Sequence, residues 1–226
     1  QLYDANAFRI DDIINEKTEG LDEVLKSEDF DVVAIGGLIT SYRSIKHTVK
    51  RVKEIQPHVK IIAGGGFYSA IPYDMMNFLP EIEYGCVGES YITFPELLHV
   101  IDKNEDPSHV KGIFYRKDGI IKFSEPRELI SDMDWLPYPA YKYAPLDIYF
   151  KNSGIIMSEE SLKSKKRLDA CMSLSCPFLC RFCWDLGVTS NSKIELIDGK
   201  PEPVTGRPGR DSIVRHHSAK YFANYV

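Results

Sequence analysis

Three short apolar runs that each end in glycine are the feature that most constrains the fold of this chain. The runs are Asp31–Ile35 before Gly36-Gly37, Val59–Ala63 before Gly64-Gly65-Gly66, and Ile82–Cys86 before Gly88. Between the first two, apolar residues recur at spacings of three and four, as on one face of a helix: Tyr42, Ile45, Val49, Val52 and Ile55. Buried strands that alternate with helices predict an α/β fold with an open, doubly wound, parallel Rossmann-like sheet.

Two further helices, a hairpin and a linker are predicted from the rest of the first 150 residues. Pro72 suits the first turn of a helix with Met75, Met76 and Leu79 on its inner face. A later helix would present Phe94, Leu97, Leu98 and Ile101. Asp118-Gly119 separates two β-rich runs, which is a hairpin signal. Residues 124–150 contain Pro126, Pro137, Pro139 and Pro145, and this composition predicts an ordered, extended linker.

Charge and cysteine content exclude several classes of protein. The chain has 28 Lys and Arg against 33 Asp and Glu, and its net charge of −5 argues against binding to nucleic acid. It lacks an apolar run of the roughly 18 residues that a membrane span needs, and it shows no signal peptide. The five cysteines are an odd number, which makes a disulfide framework improbable and favours a reducing, cytoplasmic compartment.

The glycines at the three strand ends predict a ligand site. In an open α/β sheet, ligands bind outside the carboxyl ends of the strands, and glycine lets a bulky ligand approach the backbone. An alternative interpretation is that these glycines only make tight strand-to-helix turns, and the pattern leaves both open. A nicotinamide cofactor is disfavoured, because no G-x-G-x-x-G pattern lies between strand and helix.

The strongest functional signal is the segment that contains Cys176, Cys180 and Cys183. The C-x-x-x-C-x-x-C spacing lets three thiolates bind an iron–sulfur cluster and leaves one iron without a protein ligand. A closed zinc site would need Cys171 as well, and a second C-x-x-C pair is missing. An electron-transfer cluster would also need Cys171 as its fourth ligand. A simpler interpretation makes Cys171 a buried strand residue and Cys86 a core residue.

The same residues resemble a known class. Cys176-Pro-Phe-Leu-Cys180-Arg-Phe-Cys183 resembles the cluster motif of radical S-adenosylmethionine (SAM) enzymes. The stretches 31–40 and 61–65 are similar to cobalamin-dependent methionine synthase. Residues 88–98 and 132–139 resemble the G-E-x-E turn and the interdomain linker of B12-binding radical SAM proteins.

This resemblance implies a set of cofactors and the residues that bind them. Cys176, Cys180 and Cys183 would hold a [4Fe–4S] cluster, SAM would bind its open iron, and Phe182 would contact SAM. Cobalamin would lie over the strand ends, and six residues would line its site: Leu38, Thr40, Gly64, Gly65, Gly88 and Glu89. Reductive cleavage of SAM would then support methyl transfer to, or cyclisation or rearrangement of, a small-molecule or peptide substrate. The electron would come from a donor such as ferredoxin or flavodoxin.

The resemblance also implies a domain organisation. Residues 1–105 would form a cobalamin-binding-like α/β domain, residues 106–167 a hairpin and linker, and residues 168–226 the start of a radical SAM (β/α) barrel. The chain would be a piece of a longer protein. This piece would be inactive by itself, and it lacks the motif for the lower cobalt ligand. Arg215 and Ser218 resemble the R-x-R-S-P-E stretch of the first barrel helix, which would place His216 and His217 on a helix surface. The segment between Cys183 and Arg215 is predicted to be a loop.

Overall fold

The computed structural model describes residues 19–152, 166, 171–175, 192–205 and 214–225, and the account below is confined to them. The helices are α1 (Glu19–Ser27), α2 (Tyr42–Ile55), α3 (Gly66–Ser69), α4 (Pro72–Phe78), α5 (Ser90–Lys103), α6 (Leu146–Asn152) and α7 (Ala219–Tyr225). The strands are β1 (Val32–Ile35), β2 (Lys60–Ala63), β3 (Tyr84–Cys86), β4 (Ile113–Lys117), β5 (Ile120–Phe123), β6 (Ser173–Leu174), β7 (Ser192–Ile197), β8 (Lys200–Thr205) and β9 (Arg215–His216).

A five-stranded sheet of order β1-β2-β3-β4-β5 forms the centre of the described structure. The first three strands are parallel, with Ile35 opposite Ala63 and Ile62 opposite Tyr84. Their carboxyl ends therefore meet at one edge, which confirms the predicted Rossmann-like α/β fold. The sheet is mixed rather than parallel throughout, because the β4–β5 hairpin adds antiparallel to β3. The hairpin joins the sheet because β4 buries Ile113 and Phe114.

Helices cover both faces of this sheet, as a doubly wound fold requires. The predicted face of α2 is correct: Ile45, Val49 and Val52 are buried in the cluster that α1, α3 and α4 complete. The predicted helix after Pro72 is also confirmed, with Met75 and Met76 in the same cluster. On the opposite face, α5 packs the sheet through a second cluster that includes Leu97, Val100 and Ile62. Within the described part of the chain, no helix is long and apolar enough to cross a membrane.

Two Asp-Gly turns build hairpins, and only one of them was predicted. Asp118 and Gly119 both have positive φ (54° and 75°), as a two-residue turn of this kind needs, and the predicted hairpin is confirmed. Asp198 and Gly199 have the same conformation (51° and 77°) and join β7 to β8. The prediction of a loop between Cys183 and Arg215 is therefore wrong for residues 192–205.

Two prolines explain why this second hairpin was not predicted, because proline usually disfavours a strand. Pro201 lies opposite Leu196 and Pro203 opposite Ile194. Counted from the two-residue turn, both are non-hydrogen-bonded positions, so the missing proline N–H groups interrupt no bond of the pair. Proline therefore does not exclude a strand here.

The segment after the hairpin contains no regular strand. Residues 124–145 contain only the short turns Met133–Trp135 and Tyr141–Tyr143, and Met133 and Leu136 are buried. This agrees with the prediction of an ordered, extended linker. The helix α6 at its end was not predicted.

Gly85, in the middle of β3, makes room for a buried tyrosine. A Cβ atom at this position would lie 1.9 Å from Cζ of Tyr68, whose ring is fully buried. The aromatic side chain of α3 therefore packs directly on the backbone of the central strand.

We expect Gly85→Ala to lower the free energy of unfolding by about 1–3 kcal/mol, because the new methyl group overpacks this contact. Urea unfolding followed by circular dichroism measures the loss. The matched control is Gly36→Ala, where the nearest atom to a Cβ is 3.9 Å away. Equal stabilities of the two variants would contradict the packing argument.

Candidate functional site

The carboxyl ends of β1 and β2 meet in a close contact between glycine backbones. The amide of Gly64 donates to the carbonyl of Ile35 at 2.9 Å, and the amide of Phe67 donates to the carbonyl of Gly37 at 3.0 Å. Gly65 has φ +76°, and a Cβ there would lie 3.1 Å from the nitrogen of Gly37. Glycine at this position is thus required both by conformation and by space.

The outer side of the same edge is open. A Cβ at Gly36 or Gly64 would meet nothing closer than 3.9 Å, and one at Gly88 would meet nothing within 4 Å. Leu38, which is 55% exposed, and the exposed Thr40 follow the first strand. The structure therefore brings the predicted glycines to one edge, with backbone accessible to a bulky ligand.

The turn after β3 is held by a hydrogen bond to Ser69, a residue that the sequence analysis missed. The amide of Gly88 donates to Oγ of Ser69 at 3.1 Å, and Ser69 is fully buried at the end of α3. The amide of Val87 donates to the carbonyl of Gly112 at 2.9 Å. Ser69 lies only three residues after the glycine run that ends β2, and this position near a strand end is the signal that could have indicated it.

Glu89 forms a buried ion pair with Arg215, 126 residues later in the chain. Nη1 of Arg215 donates to Oε2 of Glu89 at 2.8 Å, and Nη2 donates to Oε1. The side chains are only 6% and 11% exposed for Arg215 and Glu89 respectively. Glu89 was predicted as a cobalamin-contacting residue, and the structure shows both of its carboxylate oxygens bound to this guanidinium.

Arg215 also binds two further segments. Nη1 donates to the carbonyl of Ile130 at 2.6 Å, and Nη2 donates to Oγ of Ser175 at 3.0 Å. Ser175 immediately precedes Cys176 in the sequence. One guanidinium therefore connects the strand-end turn, the linker and the start of the cysteine segment.

The residues after Arg215 pack on the linker. The amide of Ser218 donates to Oδ1 of Asp134 at 2.8 Å, and the hydroxyl of Tyr221 donates to the carbonyl of Leu136 at 3.0 Å. The hydrogen bond from Ser218 lowers the pKa of Asp134 from its ordinary value, with a smaller contribution from His217. Arg215 and Ser218, singled out in the sequence, are thus both contact residues.

The expectation for the two histidines is partly wrong. His216 is exposed, but it ends the strand β9 instead of lying on a helix. The His217 side chain is only 9% exposed, and its ring stacks on Tyr221 with centroids 4.0 Å apart. The backbone amide of His217 donates to the carbonyl of Met172 at 3.0 Å, which holds β9 beside β6.

The predicted cluster ligands Cys176, Cys180 and Cys183 and the predicted SAM residue Phe182 lie outside the described residues. Among the residues that are described, no three His, Cys, Asp or Glu side chains are grouped to hold a metal ion. The interpretation of Cys171 as a buried strand residue is wrong: it is exposed, precedes β6, and its thiol donates to the carbonyl of Ser173 at 3.0 Å. The assignment of Cys86 to the core is confirmed.

Comparison with protein families identifies the N-terminal part of the chain. Residues 2–98 match the B12 binding domain family. This range contains β1, β2, β3 and the glycine turns that follow them. The recognition of a B12-binding-type domain from the residues is therefore confirmed.

Two curated proteins resemble a larger part of the chain. An uncharacterized methyltransferase of Pyrococcus horikoshii is 27% identical over 164 residues, covering 71% of this chain and 33% of that protein. The anaerobic magnesium-protoporphyrin IX monomethyl ester cyclase of Synechocystis is 25% identical over 141 residues, covering 60% of this chain and 25% of the cyclase. The chain thus spans about a third and a quarter of the lengths of these relatives.

A solved structure also resembles part of the fold. The radical S-adenosylmethionine methyltransferase TsrM of Kitasatospora setae, with cobalamin and a [4Fe–4S] cluster bound, matches 50% of this chain and 21% of its own. The TM-score is 0.42 and the sequence identity is 17%, so the likeness is distant.

The two described cysteines should differ sharply in reactivity. Burial raises the pKa of the Cys86 thiol to about 11, so on the order of one molecule in a thousand carries the thiolate at pH 8. We expect iodoacetamide at pH 8 to label Cys171 in the native protein and to spare Cys86. Peptide mapping by mass spectrometry reports each cysteine separately, and unfolding in urea should make Cys86 reactive. Equal native labelling of both would contradict the burial of Cys86.

Proposed function

We propose that this chain belongs to a radical SAM enzyme that binds cobalamin beside its iron–sulfur cluster. The enzyme would transfer a methyl group to a small-molecule or peptide substrate, or cyclise or rearrange it. The match of residues 2–98 to the B12 binding domain family supports the cobalamin site. The spacing of Cys176, Cys180 and Cys183 supports the cluster. The two curated relatives, a methyltransferase and a cyclase, represent both reaction types.

One observation carries this proposal: hydrogen bonds connect the start of the cysteine segment, which contains Cys176, Cys180 and Cys183, to the sheet edge where β1, β2 and β3 end. This edge is called the strand-end edge below. Arg215 binds Glu89, directly after the third glycine turn, and Ser175, directly before the first cysteine of the motif. A cobalamin-binding face and a cluster-binding loop would act on one substrate only if they lay close together, since a reacting group must be held near its target.

The residues at the strand ends fit cobalamin. Gly64 and Gly88 leave the backbone open to a large ligand, whereas Gly65 makes the close backbone contact with the end of the first strand. The exposed Leu38 and Thr40 follow that strand. In the proposal these five residues line the nucleotide tail of cobalamin. Backbone amides and carbonyls at glycine turns can bind polar groups of the tail without interference from a side chain.

The cysteine thiolates would hold the [4Fe–4S] cluster, and Phe182 would contact SAM bound at the open iron. When bound, the cluster would supply one electron for the reductive cleavage of SAM, and cobalamin would carry a methyl group. A donor such as ferredoxin or flavodoxin would provide the electron. The contribution of this chain is to orient the two cofactor-binding segments with respect to each other.

A second function is favoured by the exposure of Cys171. Its thiol lies five residues before Cys176 and is accessible, so it is available as the fourth ligand of an electron-transfer cluster or a zinc site. In that case the α/β domain would be a ligand-binding module without radical chemistry.

Electron paramagnetic resonance (EPR) distinguishes the two functions. We expect the chain, reconstituted with iron and sulfide without oxygen and then reduced, to give a [4Fe–4S]⁺ signal that changes on addition of SAM. Cys171→Ser should keep this signal, because the proposed cluster uses only three protein ligands. Cys86→Ala is the control for cysteine loss outside the motif.

Two outcomes would contradict the radical SAM proposal. One is a signal that Cys171→Ser abolishes and SAM leaves unchanged, which indicates a four-cysteine electron-transfer cluster. The other is a preparation that binds zinc and takes up no cluster, which indicates a structural site.

The cobalamin site is tested by adding a side chain to the open edge. We expect Gly64→Leu to weaken cobalamin binding by roughly tenfold or more, because a leucine side chain would occupy the space left above the strand end. Absorbance titration with hydroxocobalamin measures the affinity. Lys46→Leu, which adds the same side chain at an exposed position of α2, is the control. An unchanged affinity of Gly64→Leu for hydroxocobalamin would contradict the assignment of the cobalamin site to the strand ends.

A further inference from the structure

We propose that Arg215 is the positioning residue that sets where the cysteine segment begins relative to the strand-end edge. The inference rests on the proposed function and extends it, since it assigns the alignment of the two cofactor-binding segments to one side chain. Arg215 would touch neither cofactor and would act through Glu89 and Ser175.

The geometry uses both terminal nitrogens of the guanidinium, each of which donates twice. Both terminal nitrogens bind the Glu89 carboxylate, Nη1 also reaches the Ile130 carbonyl, and Nη2 also reaches the Ser175 hydroxyl. A guanidinium presents its donors in a rigid fork, whereas a lysine ammonium is a point charge. Four bonds to three chain segments therefore fix direction as well as distance.

The ion pair is buried, so its energetic role is specific alignment more than net stability. Taking two charges out of water is unfavourable, and their attraction offsets this cost only with good geometry and further hydrogen bonds. Ile130 and Ser175 provide those further bonds. A shift of the cysteine segment would break them and leave a buried charge incompletely bound, which disfavours alternative placements.

The anchor on the sheet side is rigid. Glu89 follows Gly88, whose amide is bound by the fully buried Ser69, and precedes the first residue of α5. The turn is thus held between α3 and α5. Movement of Glu89 relative to the strand ends would require breaking this contact.

The anchor on the cysteine side is held in an unfavourable backbone conformation. Ser175 has φ +80°, a region that residues other than glycine rarely adopt. Such a conformation persists where the surroundings hold it, and the hydrogen bond from Arg215 to the Ser175 hydroxyl is a contact that stabilises it. The neighbouring pair of β6 with β9 is only two residues long and is too short to fix the segment alone.

Hydrogen exchange of the chain without cofactors tests the positioning role directly. We expect Arg215→Lys and Glu89→Gln to raise the exchange rate of amides in the peptides covering 171–175 and 214–218 by on the order of tenfold. Exchange in α2 and β2 should stay unchanged, which shows that the fold is intact. Arg127→Lys is the matched control: Arg127 binds Glu96 and Thr93 on α5 and has no hydrogen bond to residues 171–175, the described residues next to the cysteines.

Wild-type exchange at 171–175 in both Arg215→Lys and Glu89→Gln would overturn the inference. An equal increase in Arg127→Lys would also overturn it, because the effect would then not be specific to Arg215.

A second measurement uses the protein loaded with both cofactors. Pulsed EPR gives the distribution of distances between cobalt(II) of cobalamin and the reduced cluster. We expect Arg215→Lys to broaden or shift this distribution, and Arg127→Lys to leave it as in the wild type. An unchanged distribution in Arg215→Lys would overturn the positioning role. If the chain bound neither cofactor, the proposed function would fail, and hydrogen exchange alone would still decide whether Arg215 positions the segment.

Discussion

The described structure depends on one buried ion pair, between Glu89 and Arg215, because it joins segments that the sheet alone would not hold together. The sheet explains residues 32–123, where strands and helices follow each other closely along the chain. It does not explain why the linker and the short pair β6–β9 lie against the turn after β3. Arg215 supplies that connection with bonds to Glu89, Ile130 and Ser175. Breaking this pair would leave an uncompensated buried charge, which is strongly destabilising, so these contacts disfavour other arrangements of the three segments.

The strand-end edge combines a closed inner side with an open outer side. On the inner side, the Gly37 and Gly65 backbones are in contact and Ser69 binds the amide of Gly88. On the outer side, the glycines leave backbone uncovered. A rigid inner side and an accessible outer side suit a large ligand, because such a site binds it with little rearrangement of the protein. The match of residues 2–98 to the B12 binding domain family agrees with this construction.

Local patterns predicted most of the fold, and contacts between distant residues account for what was missed. The spacing of Ile45, Val49 and Val52 predicted the buried face of α2 because helix periodicity depends only on near neighbours. The Glu89–Arg215 pair spans 126 residues, and no local pattern indicates which arginine a given glutamate will meet. The exposure of Cys171 was missed for a related reason: a cysteine in an apolar run resembles a core residue unless the packing is known. The prolines at 201 and 203 favour a loop as a local pattern, although their register in the hairpin makes them compatible with a strand.

The register of those prolines also has a consequence for self-association. At non-hydrogen-bonded positions of a two-stranded pair, backbone N–H groups point away from the partner strand. Pro201 and Pro203 therefore remove two consecutive outward donors from the side of β8 that pairs with no described strand. A strand from another molecule would find no matching row of donors there, so this side resists edge-to-edge pairing between copies. The missing N–H of proline, which made this hairpin hard to predict, thus also disfavours the addition of strands from other molecules.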